Sequence, residues 1–142
     1  MNNSYLLVER FKAFFGELHN ADLSQLRTIY DDDIVFKDPV HDVKRLVALE
    51  DYFTEVCKNV SECRFEYLDE MVSGTSAYVT WIMHFRHPKL SNRLISVRGV
   101  SHLKFTDKVI FHEDVYDMGA MLYEQIPLLG RVIRWLRLRL AQ

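Results

Sequence analysis

The sequence predicts an α+β fold, a cone-shaped roll in which a curved antiparallel sheet wraps around N-terminal helices. In roughly the first 60 residues, apolar residues recur at helical spacing. From residue 64 onward the apolar period changes to two, which is typical of strands. Turn signals such as Ser73-Gly74-Thr75 separate these strands, so we expect an antiparallel meander. A bent sheet over the first helix would leave a cone with an open mouth.

Three helices are predicted before the meander. The first covers residues 5–19 and the third begins at residue 44 or 45 and ends at 58, because apolar residues form one stripe on each. Asp22 is typical of an N-cap and starts a short second helix. Between the second and third helices, Ile34 to Asp38 is predicted as a short strand that Pro39 ends, since proline has no amide hydrogen.

Four strands follow, predicted at residues 64–72, 76–86, 93–105 and 111–117. Alternation puts His112, Asp114 and Tyr116 of the last strand on one face. If Trp81 and Met83 of the second of these strands face inward, the sheet encloses an apolar and aromatic pocket. Asp38 ends the short upstream strand, and we expect it to meet the last strand in that pocket.

Composition predicts an ordinary globular protein. Because the chain has 142 residues, we expect one domain. Because its formal charge is only −2, we expect no strong attraction to nucleic acid. The start lacks the pattern of a signal peptide, and no apolar run reaches the ~18–20 residues of a membrane span. Cys57 and Cys63 are expected to be reduced thiols, and we predict a cytoplasmic location. His84 and His87 would not share a face, so we expect no metal site.

The C-terminal end differs from the rest of the chain. We expect the main domain to cover residues 1–130 and residues 131–142 to form a basic amphipathic helical tail of the same domain. The tail carries four arginines and no acid, which leaves a formal −6 for the other residues. It could lie on an anionic membrane surface. We expect instead that it packs across the pocket mouth or onto a partner subunit.

Two stretches resemble a known family. Residues 14–40, of which 30–40 read YDDDIVFKDPV, look like the opening of proteins in the nuclear-transport-factor-2-like superfamily. Residues 112–117, which lead to residues 126–130, look like the end of such proteins. Ketosteroid isomerases and SnoaL-like polyketide cyclases belong to it. The resemblance implies this cystatin-like roll, a general base at Asp38, and an acid or base at Asp114, with Asp117 as the second match.

The sequence also departs from these relatives. Ketosteroid isomerase stabilises its enolate with a helix tyrosine and a protonated aspartic acid. Phe14 or Phe15 stands at the helix position here, and Ser101, a weaker donor, falls near the other. Limonene-epoxide hydrolase needs an Arg-x-Asp pair where residues 79–83 read VTWIM. Both of those activities are therefore disfavoured.

These residues predict cofactor-free acid–base chemistry of isomerase, cyclase or hydratase type on a small hydrophobic carbonyl compound. Asp38 would remove a proton, and His112 or Asp114 would return it or orient a water. Tyr116 or Ser101 would hydrogen-bond the oxygen that gains charge. The remaining substrate-binding positions are expected at Trp81, Met83 and Phe14.

Structural interpretations remain open beside these. Asp38 could simply cap a turn, and His112 could be a hydrogen-bonded core histidine. The whole pocket could then belong to a non-catalytic binding or interaction module. We expect a homodimer, with Arg98 and His102 on the outer sheet face as interface residues.

Overall fold

A computed structural model of the chain describes residues 3–121 and 127–141. It has the predicted α+β architecture. The helices are α1 (Asn3–Phe15), α2 (Leu26–Ile29), α3 (Leu46–Asn59), α4 (Met118–Met121) and α5 (Pro127–Leu140), with short 3₁₀ turns between some of them. The strands are β1 (Tyr30–Lys37), β2 (Asp42–Lys44), β3 (Glu62–Ser73), β4 (Ser76–Arg86), β5 (Ile95–Phe105) and β6 (Val109–Tyr116).

The six strands form one sheet in the order β2-β1-β6-β5-β4-β3. Strands β3 to β6 make the antiparallel meander that the period-two pattern predicts. Strand β1 differs from the prediction, because it begins at Tyr30 rather than Ile34 and pairs in parallel with β6. This pairing brings the upstream acidic stretch against the last strand of the chain.

The strand register aligns polar side chains across neighbouring strands. Ser101 of β5 stands directly opposite Asp114 of β6, and Gly99 stands opposite both Tyr116 and Trp81. On the other side of β6, Phe36 pairs with His112. Since residues two apart along a strand share a face, the inward side of β6 presents His112, Asp114 and Tyr116 together.

The core lies between this inward sheet face and the helices. Helix α1 buries Leu7, Val8, Phe11 and Phe15, and α3 buries Leu49 and Phe53. The α1 helix ends at Phe15 rather than at residue 19, and the amide of Gly16 closes its last turn on the Lys12 carbonyl. The helix side of the core thus combines aliphatic and phenylalanine side chains.

The C-terminal helix α5 begins at Pro127, four residues before the predicted tail. Proline is favoured at the first position of a helix because its missing amide hydrogen is not needed there. Ile126 of the motif that resembles SnoaL-like chain ends lies outside the described residues. No described helix is both long and apolar enough to cross a membrane.

Candidate functional site

A chain of hydrogen bonds, here called the Asp114 chain, links five residues on the inward face. The Tyr30 hydroxyl is 2.8 Å from Nδ1 of His112, whose Nε2 is 2.7 Å from Oδ1 of Asp114. From the other side, the Ser101 hydroxyl donates to the same oxygen at 2.5 Å, and the Trp81 indole N–H donates to Ser101 at 2.9 Å. Tyr30, His112, Ser101 and Trp81 are all buried.

One arrangement of hydrogens satisfies every donor in this chain. Neutral His112 with its hydrogen on Nε2 accepts from Tyr30 and donates to Asp114. A doubly protonated His112 would leave the Tyr30 hydroxyl hydrogen without an acceptor in the chain. Because buried donors rarely go unpaired, the neutral form is the consistent one. In this arrangement Tyr30 donates to His112 and Trp81 donates to Ser101. His112 and Ser101 in turn both donate to Asp114 Oδ1.

The second carboxylate oxygen of Asp114 is in a different situation. Oδ2 has no hydrogen-bond partner among the described residues, and the side chain is 15% exposed. No buried side-chain nitrogen or oxygen of the described part lacks a hydrogen bond, so Oδ2 must be accessible. Asp114 is therefore held by one oxygen and open at the other.

Asp38 lies in what we call the Asp38 turn, residues 38–41, and is held more completely. Its Oδ1 accepts from the amides of Val40 and His41, at 2.8 and 2.6 Å. Its Oδ2 accepts from the Tyr52 hydroxyl at 2.8 Å, and the His41 ring lies 3.2 Å from Oδ1. The side chain is only 4% exposed. Both oxygens thus already have donors.

A cavity of about 430 Å³ is lined by Tyr52, which holds Asp38, and by Tyr116, which lies two residues along β6 from Asp114. Its wall is mainly apolar and includes Met83 and Phe85 of the sheet and Val56 of α3. Its polar groups come from six side chains, those of His41, Tyr52, Glu55, Asn59, His87 and Tyr116. The Tyr116 hydroxyl has no hydrogen-bond partner in the described part of the chain and is accessible by the same reasoning as Asp114 Oδ2.

The tyrosines of the site keep their protons well beyond neutral pH. Burial raises the pKa of Tyr30, Tyr52 and Tyr116, because an apolar environment disfavours the phenolate. The negative charges of Asp38 and Asp114 raise the pKa of Tyr52 and Tyr116 further. Tyr116 is consequently a hydrogen-bond donor at neutral pH.

The structure places the predicted site residues in three settings. His112, Asp114, Ser101 and Trp81 meet in the Asp114 chain. Met83 and Tyr116 line the cavity, and Asp38 is bonded to its wall through Tyr52.

Phe14 and Asp117 lie elsewhere. Phe14 packs in the core against Phe15 and borders a separate groove beside α1. Asp117 accepts from the amide of Gly119 and pairs with Arg137.

Two residues of the site were not singled out from the sequence. Tyr30 begins β1, and its hydroxyl reaches a histidine 82 residues away. Tyr52 lies on α3, and its hydroxyl holds Asp38. The available signal was chemical, since a buried tyrosine needs a partner for its hydroxyl group.

The described residues offer no arrangement for a metal ion. No group of three or more His, Cys, Asp or Glu side chains is gathered there.

On the outer sheet face, Tyr78 stacks on His102 with ring centroids 4.3 Å apart, and Val115 is exposed beside them. A homodimer through this face stays a prediction.

Comparison with solved structures supports the fold. The chain matches an NTF2-like protein of unknown function from Burkholderia pseudomallei with a TM-score of 0.76 and 17% identity, covering 86% of this chain and 96% of the other. A candidate SnoaL-like polyketide cyclase from Shewanella putrefaciens gives 0.71 and 20%, covering 85% and 94%. AclR, a candidate hydroxylase from Streptomyces galilaeus, gives 0.72 and 20%, covering 97% and 91%.

The family assignment comes from the sequence itself. The search of curated proteins gives no significant match. The model of the SnoaL-like domain matches residues 11–113, which include both Asp38 and His112 and cover most of the chain. The predicted resemblance to this family is thus confirmed, and the chain belongs to the SnoaL-like domain family.

Proposed function

We propose that this protein is a cofactor-free acid–base enzyme of isomerase or cyclase type that acts on a small hydrophobic carbonyl compound. Asp114 is the proton acceptor and Tyr116 the donor to the carbonyl oxygen. Asp38, the base implied by the family resemblance, instead positions Tyr52 in this proposal. His112 and Ser101 hold Asp114 in place.

The observation that carries the proposal is that Asp114 has one hydrogen-bonded oxygen and one accessible oxygen. Oδ1 receives two donors, which fix the carboxylate and stabilise its negative charge. Oδ2 is accessible and has no partner among the described residues. A general base needs this combination of a fixed position and a vacant lone pair.

The chemistry balances without a cofactor. Asp114 Oδ2 takes a proton from the carbon next to a carbonyl, and the electron pair moves onto the carbonyl oxygen. The Tyr116 hydroxyl donates a hydrogen bond to that oxygen as it gains charge. The enolate then takes the proton back from Asp114 at another carbon, which gives an isomer. Alternatively it attacks a second carbonyl carbon, which closes a ring, and the alkoxide that forms takes the proton from Asp114.

The cavity limits the substrate class. At about 430 Å³ it falls in the range of small-molecule sites. Its mostly apolar wall favours a flat or ring-containing carbonyl compound over a charged metabolite. One structural neighbour is described as a candidate polyketide cyclase, which is compatible with such a substrate.

The direct test is exchange of substrate protons with solvent deuterium. Cyclic and aromatic ketones with acidic α-protons are incubated with the protein in D₂O, and loss of the α-proton signal is followed by NMR. We expect exchange above the buffer rate for at least one compound that also binds. Tyr116→Phe should slow it roughly 10²- to 10³-fold, the usual cost of one oxyanion donor.

A matched control is Tyr78→Phe. Tyr78 is exposed on the outer sheet face, where its ring stacks on His102. This variant should exchange protons at the wild-type rate. An equal loss in both variants would contradict a specific role of Tyr116.

The second candidate function is a binding module. The favouring observation is that neither Asp114 nor His112 is among the described side chains that line the cavity. Ser101, a predicted oxyanion donor, is already committed to Asp114. Compounds that bind in the cavity but never exchange α-protons above the buffer rate would support this function and overturn the enzymatic proposal.

A further inference from the structure

We propose that helix α5 docks the protein reversibly onto an anionic lipid bilayer. The docking surface is the apolar stripe of α5 with the arginines beside it. This inference is independent of the chemistry in the cavity.

The helix leaves an unusual amount of apolar surface uncovered. Leu129, Val132, Leu136 and Leu140 follow the spacing of a single helical stripe. All four are exposed, as are Trp135 at 56% and Leu138 at 67%, and Leu140 reaches 87%. Single exposed leucines are ordinary, but four exposed apolar side chains along one stripe, with Trp135 at its border, form a patch that indicates an interaction site.

One flank of this stripe attaches α5 to the domain. The Arg137 guanidinium pairs with Oδ2 of Asp117 at 3.1 Å, and Ile133 lies close to Gly119. Asp117 directly follows β6. By helical spacing Ile133 lies next to the stripe, so these contacts cover one edge of it, while Leu136 and Leu140 stay exposed.

The charge on α5 indicates that the partner of this surface is an anionic membrane. Arg131, Arg134, Arg137 and Arg139 give this helix four positive charges and no acid, on a chain whose other residues sum to −6. Arg139 lies over the Trp135 ring at 5.3 Å, at the border between the apolar and basic sides. A basic amphipathic helix with a border tryptophan is suited to the interface of an anionic membrane.

A second copy of the chain fits this surface less well. A two-fold contact between two α5 helices would bring the same positive side chains towards each other. The helix also cannot insert across a bilayer, because none of the described helices is long and apolar enough. Docking parallel to the surface is the mode that remains compatible with both its length and its charge.

The experiment is vesicle flotation of the full chain. Vesicles of phosphatidylcholine with phosphatidylglycerol are compared with vesicles of phosphatidylcholine alone. We expect the protein to float with the anionic vesicles, to stay behind with the neutral ones, and to be released by high salt. Absence of flotation with anionic vesicles, or equal flotation with both kinds, would overturn the proposal.

Two double variants separate the basic tail from general charge. Arg131→Gln with Arg139→Gln should reduce the bound fraction about tenfold or more. The control, Arg10→Gln with Lys89→Gln, removes two exposed charges outside α5 and should float like the wild type. Equal losses in both would mean that the attraction is not specific to α5.

A third variant addresses the apolar stripe and the competing occupant. Leu136→Gln with Leu140→Gln should also abolish flotation while leaving the oligomeric state and the thermal midpoint unchanged, because both side chains are exposed. If this variant converts a dimer to a monomer and still floats, the stripe is a subunit contact and the membrane proposal is wrong.

Discussion

Asp38 and Asp114 both lie next to the tyrosines of the cavity, but their surroundings differ. Asp38 receives donors on both oxygens, two of them amides of its own turn. Asp114 receives two donors on one oxygen and leaves the other accessible. A carboxylate with every lone pair directed at protein donors stabilises a turn, whereas one with a vacant oxygen can accept a substrate proton.

The difference follows from where each donor comes from. The amides that hold Asp38 are two and three residues along the chain, so the turn forms locally after Pro39 removes one possible donor. The donors to Asp114 are Ser101 of β5 and His112 of β6 itself, and strand pairing brings Trp81 of β4 and Tyr30 of β1 to these two donors. The position of Asp114 therefore depends on the register of the whole sheet.

The largest effect on that register is expected for Gly99→Ala. An added Cβ would overlap the ring of Trp81 and stand 2.8 Å from the carbonyl oxygen of Val115. Overpacking of this kind costs about 1–3 kcal/mol of unfolding free energy and would move the indole from Ser101. Urea unfolding measures the cost, and near-ultraviolet circular dichroism reports the tryptophan.

A companion variant makes this prediction specific. In a Trp81→Phe background the smaller ring leaves room for the new Cβ, so Gly99→Ala should cost clearly less there. The same cost in both backgrounds would mean that the overlap with Trp81 is not the cause.

Tyr30→Phe and Tyr52→Phe test the two carboxylates separately. Tyr30 acts on Asp114 through His112, whereas Tyr52 donates directly to Asp38. Tyr30→Phe leaves the buried Nδ1 of His112 without its donor, which we expect to cost about 1–3 kcal/mol. It should also slow α-proton exchange and shift its pH profile, because His112 loses its fixed tautomer. Urea unfolding and the exchange assay measure both effects.

Tyr52→Phe should have the smaller effect. It removes one of several donors to Asp38, next to a cavity where water can replace it, so we expect about 0.5–1.5 kcal/mol. The pH profile of exchange should not change. A shift of that profile only in Tyr52→Phe would reverse the assignment of the two carboxylates.

Alkaline pH should lower the free energy of unfolding through four buried or partly buried tyrosines. Burial raises the pKa of Tyr30, Tyr52, Tyr67 and Tyr116 above the unfolded value of about 10. Above that pH the unfolded chain releases these protons while the folded chain retains them. Their contribution to stability is therefore complete below about pH 10 and is lost as the pH rises towards the folded-state values.

Urea midpoints between neutral pH and pH 11, together with phenolate absorbance, check this expectation. The midpoint should fall above about pH 10, and part of the phenolate signal should appear only with unfolding. If all tyrosines ionise near pH 10 while the protein stays folded, the buried hydroxyl network is not as closed as described.

Much of the fold could be predicted because its signals are local. The period-two pattern gave β4 with its observed ends, and alternation put His112, Asp114 and Tyr116 on one face. The parallel pairing of β1 with β6 could not be predicted, because nothing near Tyr30 shows which distant strand it will meet. The acidic residues 31–33 directly after Tyr30 belong to β1, although aspartate is depleted in strands.

The candidate site was predictable in its residues but not in its bonds. Residue types and a resemblance pointed to Asp38, His112 and Asp114. Whether Ser101 faces a substrate or Asp114 depends on which residue of β6 stands opposite it, and only the strand register determines that. The proposed change of base from Asp38 to Asp114 rests on these long-range contacts.

The most direct test of this account compares Asp114→Asn with Asp38→Asn in the α-proton exchange assay, with both variants shown to be folded by circular dichroism. Asp114→Asn removes the accessible carboxylate and should slow exchange roughly 10²- to 10⁴-fold. Asp38→Asn should stay within roughly tenfold of the wild type, since its carboxylate is expected to act only through Tyr52. Loss of exchange in Asp38→Asn with near-normal exchange in Asp114→Asn would contradict the account.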